Sequence, residues 1–121
     1  MIIAKHIIKN FNNQEVLKDI SCVFEKGKTN LIIGRSGAGK TVLLKILIGL
    51  VEPSSGEVWY DDVNFYKLNK LQLRQLRMQI GMLFQGSALF DSMTVEENIR
   101  FPLDMFTHQT LKEKHMQVDY C

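Results

Sequence analysis

LIIGRSGAGKT, residues 31–41, is the stretch that decides the fold of this chain. It begins as a short apolar run and leads into an apolar segment suited to a helix. Between them lies the pattern GxxxxGK[ST], whose fixed positions are Gly34, Gly39, Lys40 and Thr41. An extra glycine, Gly37, allows the backbone to turn tightly enough for its N–H groups to point at phosphate oxygens. The stretch therefore predicts a phosphate-binding loop between a strand and a helix.

Each residue type in this loop has a chemical property that suits the binding of phosphate and Mg²⁺. Lys40 places a compact cation within reach of β- and γ-phosphates, and Thr41 offers a hydroxyl to Mg²⁺. The helix that begins here directs the positive end of its dipole at the anion. A glycine-rich turn that matches by coincidence is the competing interpretation, and the flanking strand and helix patterns make such a coincidence rarer.

Length and composition restrict the class of protein. The 121 residues, 45% of them hydrophobic, suit one globular domain but are few for a fold that needs several βα units. A net charge of +2 is too small to favour nucleic acid as a partner. Cys22 and Cys121 have neither metal-ligand spacing nor a disulfide framework, which predicts free thiols in a reducing compartment. Residues 42–51, the longest apolar run, contain Lys45 and are too short to cross a bilayer, so we expect a cytoplasmic protein.

The first half of the chain predicts two strands, a buried strand and a helix. Residues 1–8 and 16–24 are rich in β-forming residues and are separated by a polar, asparagine-containing turn. Residues 29–33 form a nearly continuous apolar run of the kind buried in a parallel sheet. Residues 40–50 are apolar on almost every side, so we expect an enclosed helix that Gly49 ends.

The middle of the chain predicts two further strands and a surface helix. Residues 57–60 suit a strand, and residues 80–84 form a second short run of the buried type. Between them, residues 68–79 suit an amphipathic helix, because leucines recur among Gln, Lys and Arg. Asn69 and Gln72 have the spacing of a capping box at its start.

The last part of the chain predicts helices. Thr94 and Glu97 have capping-box spacing, which marks a helix start. Pro102 should bend or break that helix near Phe101. From residue 109 onward the chain is polar and compatible with a helix.

The order of these segments resembles the ATP-binding subunits of ABC transporters. The resemblance is carried by an aromatic residue after the first strand, GRSGAGKT with the following LLKILIGL, PSSGEVWYD, and IGMLFQ. It implies an α/β fold of the P-loop NTPase (ABC ATPase) type with an N-terminal antiparallel β part. Residues 1–121 would be the N-terminal part of an ATP-binding domain, with an incomplete core. Within the family, residues 81–103, GMLFQGSALFDSMTVEENIRFPL, resemble the ATPase of Mla-type systems, which move phospholipid between bacterial membranes.

The resemblance also implies roles for individual residues. Those expected to bind ATP are Gly34, Arg35, Ser36, Gly37, Ala38, Gly39, Lys40 and Thr41, with Thr41 also a ligand of Mg²⁺. Gln85 corresponds to the Q-loop glutamine, a catalytic position that touches Mg²⁺ and the attacking water. Phe11 has the placement of the aromatic residue that stacks on adenine. Taken alone, Phe11 would also suit core packing, and Gln85 would suit a polar strand end.

Three parts of the family's machinery have no counterpart in this sequence: the LSGGQ-type signature, the Walker B run ending Asp-Glu, and the switch histidine. Residues 58–62 and 88–91 are apolar runs that end in carboxylates, but a strand entering a turn and a loop explain them better. His6, His108 and His115 form no cluster for a metal or a base, and we expect them at the surface. The chain therefore supplies a phosphate cradle without a catalytic carboxylate.

The resemblance implies the N-terminal half of an ABC transporter ATPase subunit, powering transport of phospholipid if the finer likeness holds. The implied partners are a second ATP-binding subunit, forming a homodimer, and a transmembrane permease that residues 85–106 would face. The apolar residues of that segment would equally suit a local core under a helical subdomain. Such a subunit lies on the cytoplasmic side of the cell membrane. Alone, the chain should bind nucleotide weakly without hydrolysing it, and exposed apolar strand edges should make it poorly soluble.

Two other classes of function remain open from the sequence. A nucleotide-binding module without catalysis would bind ATP with no Mg²⁺-dependent turnover, even in the complete natural protein. A small kinase-like phosphotransferase would use Asp61 or Asp62. Asp61→Asn would abolish the activity of such a kinase, whereas in a transporter subunit the same change would be mild.

Overall fold

The computed structural model describes residues 1–84, 86 and 88–120. Two compact units, residues 1–80 and 81–121, are described separately below. The first contains strands β1 (Ile2–Phe11), β2 (Gln14–Phe24), β3 (Ser55–Tyr60) and β4 (Val63–Asn64), helices α1 (Lys40–Leu47) and α2 (Lys70–Arg77), and a 3₁₀ turn (Phe65–Lys67). The second contains helices α3 (Val95–Phe106) and α4 (Leu111–Asp119).

The four strands form one antiparallel sheet in the order β2-β1-β3-β4. β1 and β2 are joined by a tight hairpin in which Asn12 and Asn13 have φ angles of 44° and 66°. Asparagine tolerates this left-handed conformation, and two such residues twist the turn in the direction of the strands. The sequence prediction of two strands separated by an asparagine turn is confirmed, with strands longer than expected.

A bulge in β1 sets which residues reach the core. His6 on β1 and Asp19 on β2 have φ angles of 51° and 52°, and the imidazole Nδ1 of His6 is 2.7 Å from Asp19 Oδ1. The pairing of β1 with β2 shifts register between Ala4 and Ile7. Residues three apart face opposite sides of a regular strand, so the shift places the side chains of both Ala4 and Ile7 on the buried side.

Helix α1 packs on the buried side of the sheet. The core consists of Ala4, Ile7, Leu17, Leu43, Ile46, Leu47, Val58 and Phe65. The helix is less enclosed than the sequence predicts, since Leu44 and, after the helix, Leu50 are exposed. Gly49, with φ 71°, follows its end, as predicted.

Two predicted buried strands are not formed. Residues 29–33 and 80–84 have no strand conformation among the described positions, and Leu31, Ile33 and Leu83 are 80%, 83% and 96% exposed. A parallel strand exists only through hydrogen bonds to neighbouring strands. No strand in the described part of the chain pairs with either run, so both remain extended surface segments.

The capping predictions are confirmed at α2 and α3. The Asn69 side chain accepts from Gln72 N while Gln72 Oε1 accepts from Asn69 N, at 3.0 and 3.1 Å. Thr94 and Glu97 exchange the same pair of bonds at the start of α3. The prediction that Pro102 breaks α3 is wrong in its stronger form, because the helix continues to Phe106.

The helices of the second unit are joined by ion pairs. Asp104 on α3 accepts from Arg100 Nε and from Lys114 Nζ on α4, each at 3.0 Å. These bonds, that from Lys114 most strongly, hold the pKa of Asp104 below its usual range. His115 Nδ1 lies 2.7 Å from Glu96 Oε1, a second link between the same helices. No helix among the described residues is long and apolar enough to cross a membrane.

Candidate nucleotide-binding site

The loop of residues 34–41 closes through two glycines in left-handed conformation. Gly37 and Gly39 have φ angles of 75° and 85°, and Ala38 N donates to Arg35 O at 3.2 Å. Gly39 is also confined in space, because a Cβ there would lie 2.7 Å from Leu17 Cδ2 and 3.1 Å from Val16 O. A glycine is needed at this position for both its φ angle and its packing against β2.

Lys40 folds back over the loop that precedes it. Its Nζ donates to Gly34 O and to Arg35 O, each at 2.8 Å. An ammonium group has three N–H donors, so these two bonds fix its place and leave one donor for a phosphate oxygen. The cation therefore lies at the mouth of the loop, and its contact with a phosphate stays a prediction.

The start of α1 has the properties of an anion site. Its N-cap is Gly39, which provides no side-chain acceptor, and the first helical bond joins Leu43 N to Gly39 O at 2.8 Å. The first-turn amides therefore keep their donors for an outside partner, and the helix dipole adds positive potential. A cavity of about 180 Å³ lies here, lined by Val16, Gly37, Ala38, Gly39, Lys40, Thr41 and Val42.

The residues present fit a nucleotide phosphate chain with Mg²⁺. Thr41 is exposed in the first turn of α1 and lines the same cavity as Lys40. Mg²⁺ keeps most of its ligands from phosphate and water, so one hydroxyl beside the phosphates suits it. Among the described residues, no group of three His, Cys, Asp or Glu side chains could hold a metal ion.

The structure reveals two neighbours of the loop that sequence reasoning missed. Val16 lines the loop cavity, and Leu17, which is 4% exposed, packs against Gly39. Both belong to β2, more than twenty residues before Gly39 in the chain. Their only sequence signal is an alternating strand pattern, which predicts burial of one face but not its partner.

Two predicted nucleotide contacts lie elsewhere in the chain. Phe11 ends β1 beside the hairpin turn, is 43% exposed, and has Lys9 Nζ 4.8 Å from its ring centroid. It belongs to the same hairpin as Val16, but its role towards adenine stays a prediction. Gln85 lies outside the described residues, so its catalytic and Mg²⁺ roles also stay predictions.

The carboxylates considered as substitutes for a Walker B motif have local explanations. Asp61 has φ 51° in the turn after β3, and its Oδ1 lies 2.6 Å from the Met1 amino group, which lowers its pKa. Asp91 lies in a loop and lines a cavity of about 460 Å³ together with residues of α3. His6 and His115 each face one carboxylate, Asp19 and Glu96 respectively.

A cavity of about 420 Å³ also lies beside the loop, and it is larger than the cavity of about 180 Å³ at the start of α1. Its lining is mostly apolar, with residues 30–33 on one side and β2 residues from Leu17 to Phe24 on the other. It also contains Cys22, a free cysteine whose pKa is raised by burial. Ala38, Gly39 and Lys40 line this cavity as well as the smaller one. Gly37 and Thr41 line the smaller cavity and not this one, so we take the smaller cavity at the start of α1 as the phosphate site.

Comparisons with known proteins identify the family of this chain. The family described as "ABC transporter" matches residues 17–120 of the chain. Among relatives, the methionine import ATP-binding protein MetN of Carboxydothermus hydrogenoformans is 41% identical over 98% of this chain and 36% of its own length. The phosphonates import ATP-binding protein PhnC of Wolinella succinogenes is 39% identical over 82% of this chain and 36% of its own length. The chain thus spans about a third of the length of these curated relatives.

A solved structure shows the same fold. The ATP-binding cassette MJ0796, in a dimeric post-hydrolysis state bound to ADP and Pi, aligns with a TM-score of 0.86 at 27% identity. The alignment covers 100% of this chain and 55% of that one. The predicted α/β fold of the ABC ATPase type, with an N-terminal antiparallel sheet, is confirmed. By this fold, and by the family match over residues 17–120, the chain belongs to the ABC transporter family as part of its ATP-binding domain.

Proposed function

We propose that this chain is the nucleotide-binding part of an ABC transporter subunit and that residues 34–41 bind ATP with Mg²⁺. The observation that carries the proposal is the loop itself. Lys40 is held at its mouth by two carbonyl bonds of 2.8 Å, and α1 begins at a glycine that leaves its amides free of side-chain acceptors. Such a loop favours an anion with several charged oxygens.

Each part of the loop has a separate task in this proposal. The backbone amides and the α1 dipole orient the phosphate chain, and Lys40 neutralises charge on its terminal groups. The Thr41 hydroxyl contributes one Mg²⁺ ligand. Mg²⁺ held there would supply positive charge that offsets the charge developing during phosphoryl transfer. Gln85 belongs to the same proposal as the residue that senses Mg²⁺ and water.

Hydrolysis needs groups beyond those described. In-line attack by water requires a positioned carboxylate, and the described Asp61 is engaged by the Met1 amino group. We therefore propose that the 121-residue chain alone binds nucleotide without turning it over. A homodimer of complete subunits, bound to a permease on the cytoplasmic side of the membrane, would hydrolyse ATP.

Residues 85–106 are the proposed permease-facing segment. Met105 and Phe106 are exposed, and residues 89–99 line the cavity of about 460 Å³. Phe101 is instead half-buried, with its ring centroid 4.8 Å from that of Phe90. The segment thus combines a small local core with an apolar surface suited to a protein partner.

The transported substrate is a separate proposal. The relatives named above are methionine and phosphonate importers, which favours import of a small polar solute such as methionine. Phospholipid transport, suggested by residues 81–103, is a second candidate that their names do not support. Uptake of labelled methionine by cells with the encoding gene disrupted separates the two. A loss of uptake supports import, whereas normal uptake with altered lipid distribution between membranes supports the lipid candidate.

Nucleotide binding is tested by titrating the 121-residue chain with a fluorescent ATP analogue in Mg²⁺. We expect Lys40→Ala to weaken binding at least about tenfold, a loss of about 1.4 kcal/mol. Lys112→Ala, in exposed α4, is the matched control and should bind as the parent does. Equal affinity of the parent and Lys40→Ala would overturn the proposal.

Two measurements separate the remaining alternatives. The intact mass of the protein from its own cell shows whether the natural product is heavier than 14.0 kDa. ATPase activity of that natural product, with and without Asp61→Asn, then distinguishes the classes. A mild loss of ATPase activity in Asp61→Asn supports a transporter subunit, and abolished activity supports a kinase-like enzyme. If neither the natural protein nor the variant shows Mg²⁺-dependent turnover, the result supports a binding module.

A further inference from the structure

The carbonyl end of α1 is closed more completely than its amide end. Leu50 N donates to Lys45 O at 2.8 Å and Gly49 N donates to Ile46 O at 3.0 Å, which is the Schellman arrangement around a left-handed glycine. Val51 N approaches Lys45 O as well, at 3.2 Å. The backbone alone therefore satisfies two of the carbonyls that a helix leaves without intrahelical partners.

Three side chains from three other elements bind the same end. The Tyr66 hydroxyl, in the 3₁₀ turn, lies 2.7 Å from Ile46 O and 3.0 Å from Val51 O, and the Tyr60 hydroxyl, on β3, donates to Leu47 O at 2.9 Å. Arg77 Nη2, at the end of α2, donates to Gly49 O at 2.5 Å. We call Tyr60, Tyr66 and Arg77 the carbonyl clamp.

Packing fixes the clamp in place. Phe65 is 1% exposed, and its ring centroid lies 5.5 Å from that of Tyr60 and 5.2 Å from that of Tyr66. Gly49 passes so close to this ring that a Cβ would lie 2.2 Å from Phe65 Cε1. Burial raises the pKa of Tyr66 to about 12, so its hydroxyl keeps its proton at neutral pH.

The clamp contrasts with the other end of the helix. The loop of residues 25–39 before α1 has no helix or strand, and Gly39 gives α1 no side-chain cap. The helix has 8 residues and is about 12 Å long. Because it is short and rigid, a shift of its carbonyl end moves its amide end by a distance of similar size. Locally, the packing of Gly39 against Leu17 and the Lys40 bonds to Gly34 O and Arg35 O hold the amide end. The direction of the helix axis that carries this end is set by the packed face of α1 and by the clamp.

We propose that Tyr60, Tyr66 and Arg77 are positioning residues for the phosphate site: they hold the carbonyl end of α1 and so fix where its amide end presents Lys40 and Thr41. This inference rests on the proposed binding of ATP at residues 34–41. The clamp touches neither nucleotide nor metal and acts through the helix. Arg77 also places a positive charge at the negative end of the α1 dipole, which favours the anion at the other end.

The test compares variants that remove clamp donors with a matched tyrosine control. Tyr66→Phe with Arg77→Met removes two donors and keeps the ring, and Tyr120→Phe makes the same tyrosine change at a site that is 93% exposed. Dissociation constants of ATP and ADP are measured on the full chain where circular dichroism shows each variant folded. We expect the clamp variant to bind ATP about tenfold more weakly, ADP less affected, and Tyr120→Phe to match the parent. Arg77→Lys keeps a cationic donor and should recover most of the affinity.

A second readout needs no ligand. Amide hydrogen exchange at Leu43 and Leu44, the first amides of α1 that have helical partners, should accelerate in the clamp variant while exchange in β1 and β2 stays unchanged. Lower stability alone would accelerate exchange in the sheet too and would leave the ratio of ATP to ADP affinity unchanged. If the double variant does not fold, Tyr66→Phe alone is measured in the same way.

The outcomes separate this inference from the function on which it rests. A parent chain that binds no ATP overturns the proposed function, while the exchange experiment still decides whether the clamp holds the amide end. A parent that binds ATP, with clamp variants of equal affinity and unchanged exchange at Leu43 and Leu44, overturns the clamp and leaves the proposed function standing.

Discussion

Strand β3 and the run of residues 29–33 both have apolar patterns that predict a strand, but only β3 forms one. β3 pairs with β1 on one side and β4 on the other, and Val58 at its centre is 0% exposed. Residues 29–33 have as strong an apolar pattern, yet Leu31 and Ile33 are 80% and 83% exposed and form no strand. The run of residues 80–84 shares that second fate.

The difference lies outside the segments themselves. A strand pattern supplies side chains that suit a pleated surface, but its hydrogen bonds come from neighbours. β3 has neighbours within the described chain, and residues 29–33 do not. The apolar cavity of about 420 Å³ between residues 30–33 and β2 marks surface that no side chain fills. The largest expected effects of substitution should therefore fall in the sheet and α1, and the smallest in the two runs.

Matched phenylalanines give the largest contrast. Phe65 is 1% exposed beneath α1, whereas Phe84, in the second run, is 46% exposed. We expect Phe65→Ala to lower the free energy of unfolding by about 3–5 kcal/mol, because it removes a core ring and leaves a cavity. Phe84→Ala should cost less than about 1 kcal/mol. Urea unfolding followed by circular dichroism measures both.

The control for this contrast is the urea dependence of the unfolding free energy, which should be the same in both variants if the unfolded surface is unchanged. Equal destabilisation by the two substitutions would show that residues 80–84 are packed in solution and would remove the distinction between β3 and the unpaired runs.

Matched glycines give the next effect. A Cβ at Gly49, where φ is 71°, would lie 2.2 Å from the Phe65 ring, whereas one at Gly81 meets nothing within 4 Å. Gly49→Ala combines overpacking with an unfavourable φ angle, so we expect a loss of about 2–4 kcal/mol. Gly81→Ala should change stability by less than about 0.5 kcal/mol. Thermal unfolding of the two variants provides the comparison, and a neutral Gly49→Ala would contradict the packing described for α1.

Features that depend on near neighbours in sequence could be predicted, and features that depend on distant ones could not. The capping boxes at Asn69 and Thr94, the asparagine hairpin and the glycine end of α1 are each decided within a few residues, and all were correct. The strand at residues 29–33 needed distant partners, so its pattern was insufficient. Pro102 was misjudged because a helix tolerates proline when the lost bond is accommodated locally.

The candidate site divides in the same way. The loop of residues 34–41 is a contiguous motif, and its sequence predicts the tight turn at Gly37, where φ is 75°. The reach of Lys40 to a phosphate stays a prediction. The packing of Leu17 against Gly39 and the bonds from Tyr66 to α1 join residues about twenty positions apart. Neither Leu17 nor Tyr66 has a sequence signal that names its partner, so only the structure reveals them.

The exposed run of residues 29–33 leads to a prediction about association and not stability. Ile33 is 83% exposed, so Ile33→Lys should change the free energy of unfolding by less than about 0.5 kcal/mol. The added charge on an unpaired apolar edge should raise the concentration at which the chain remains monomeric. Sedimentation velocity over a concentration series measures this self-association. Ile7→Lys is the contrasting variant, because Ile7 is 0% exposed and its substitution should unfold the chain. Unchanged association of Ile33→Lys would show that other surfaces cause it.

The smallest expected effect is the pH response of the α3 cap, a feature fixed within four residues and therefore independent of strand partners. Thr94 N donates to Glu97 Oε2 at 2.7 Å, and this bond holds the pKa of Glu97 below its ordinary value of 4.5. A carboxyl whose folded pKa is lowered stabilises the fold above its unfolded pKa and loses that contribution as pH falls through the folded value. We therefore expect the Thr94 amide resonance to shift, and helicity to decline, only below about pH 4.5. In Glu97→Gln the amide oxygen still accepts from Thr94 N and has no proton to gain, so the shift should disappear, while Glu15→Gln in β2 should leave it unchanged. A Thr94 resonance that titrates identically in Glu97→Gln would mean that the cap is not what responds to acid.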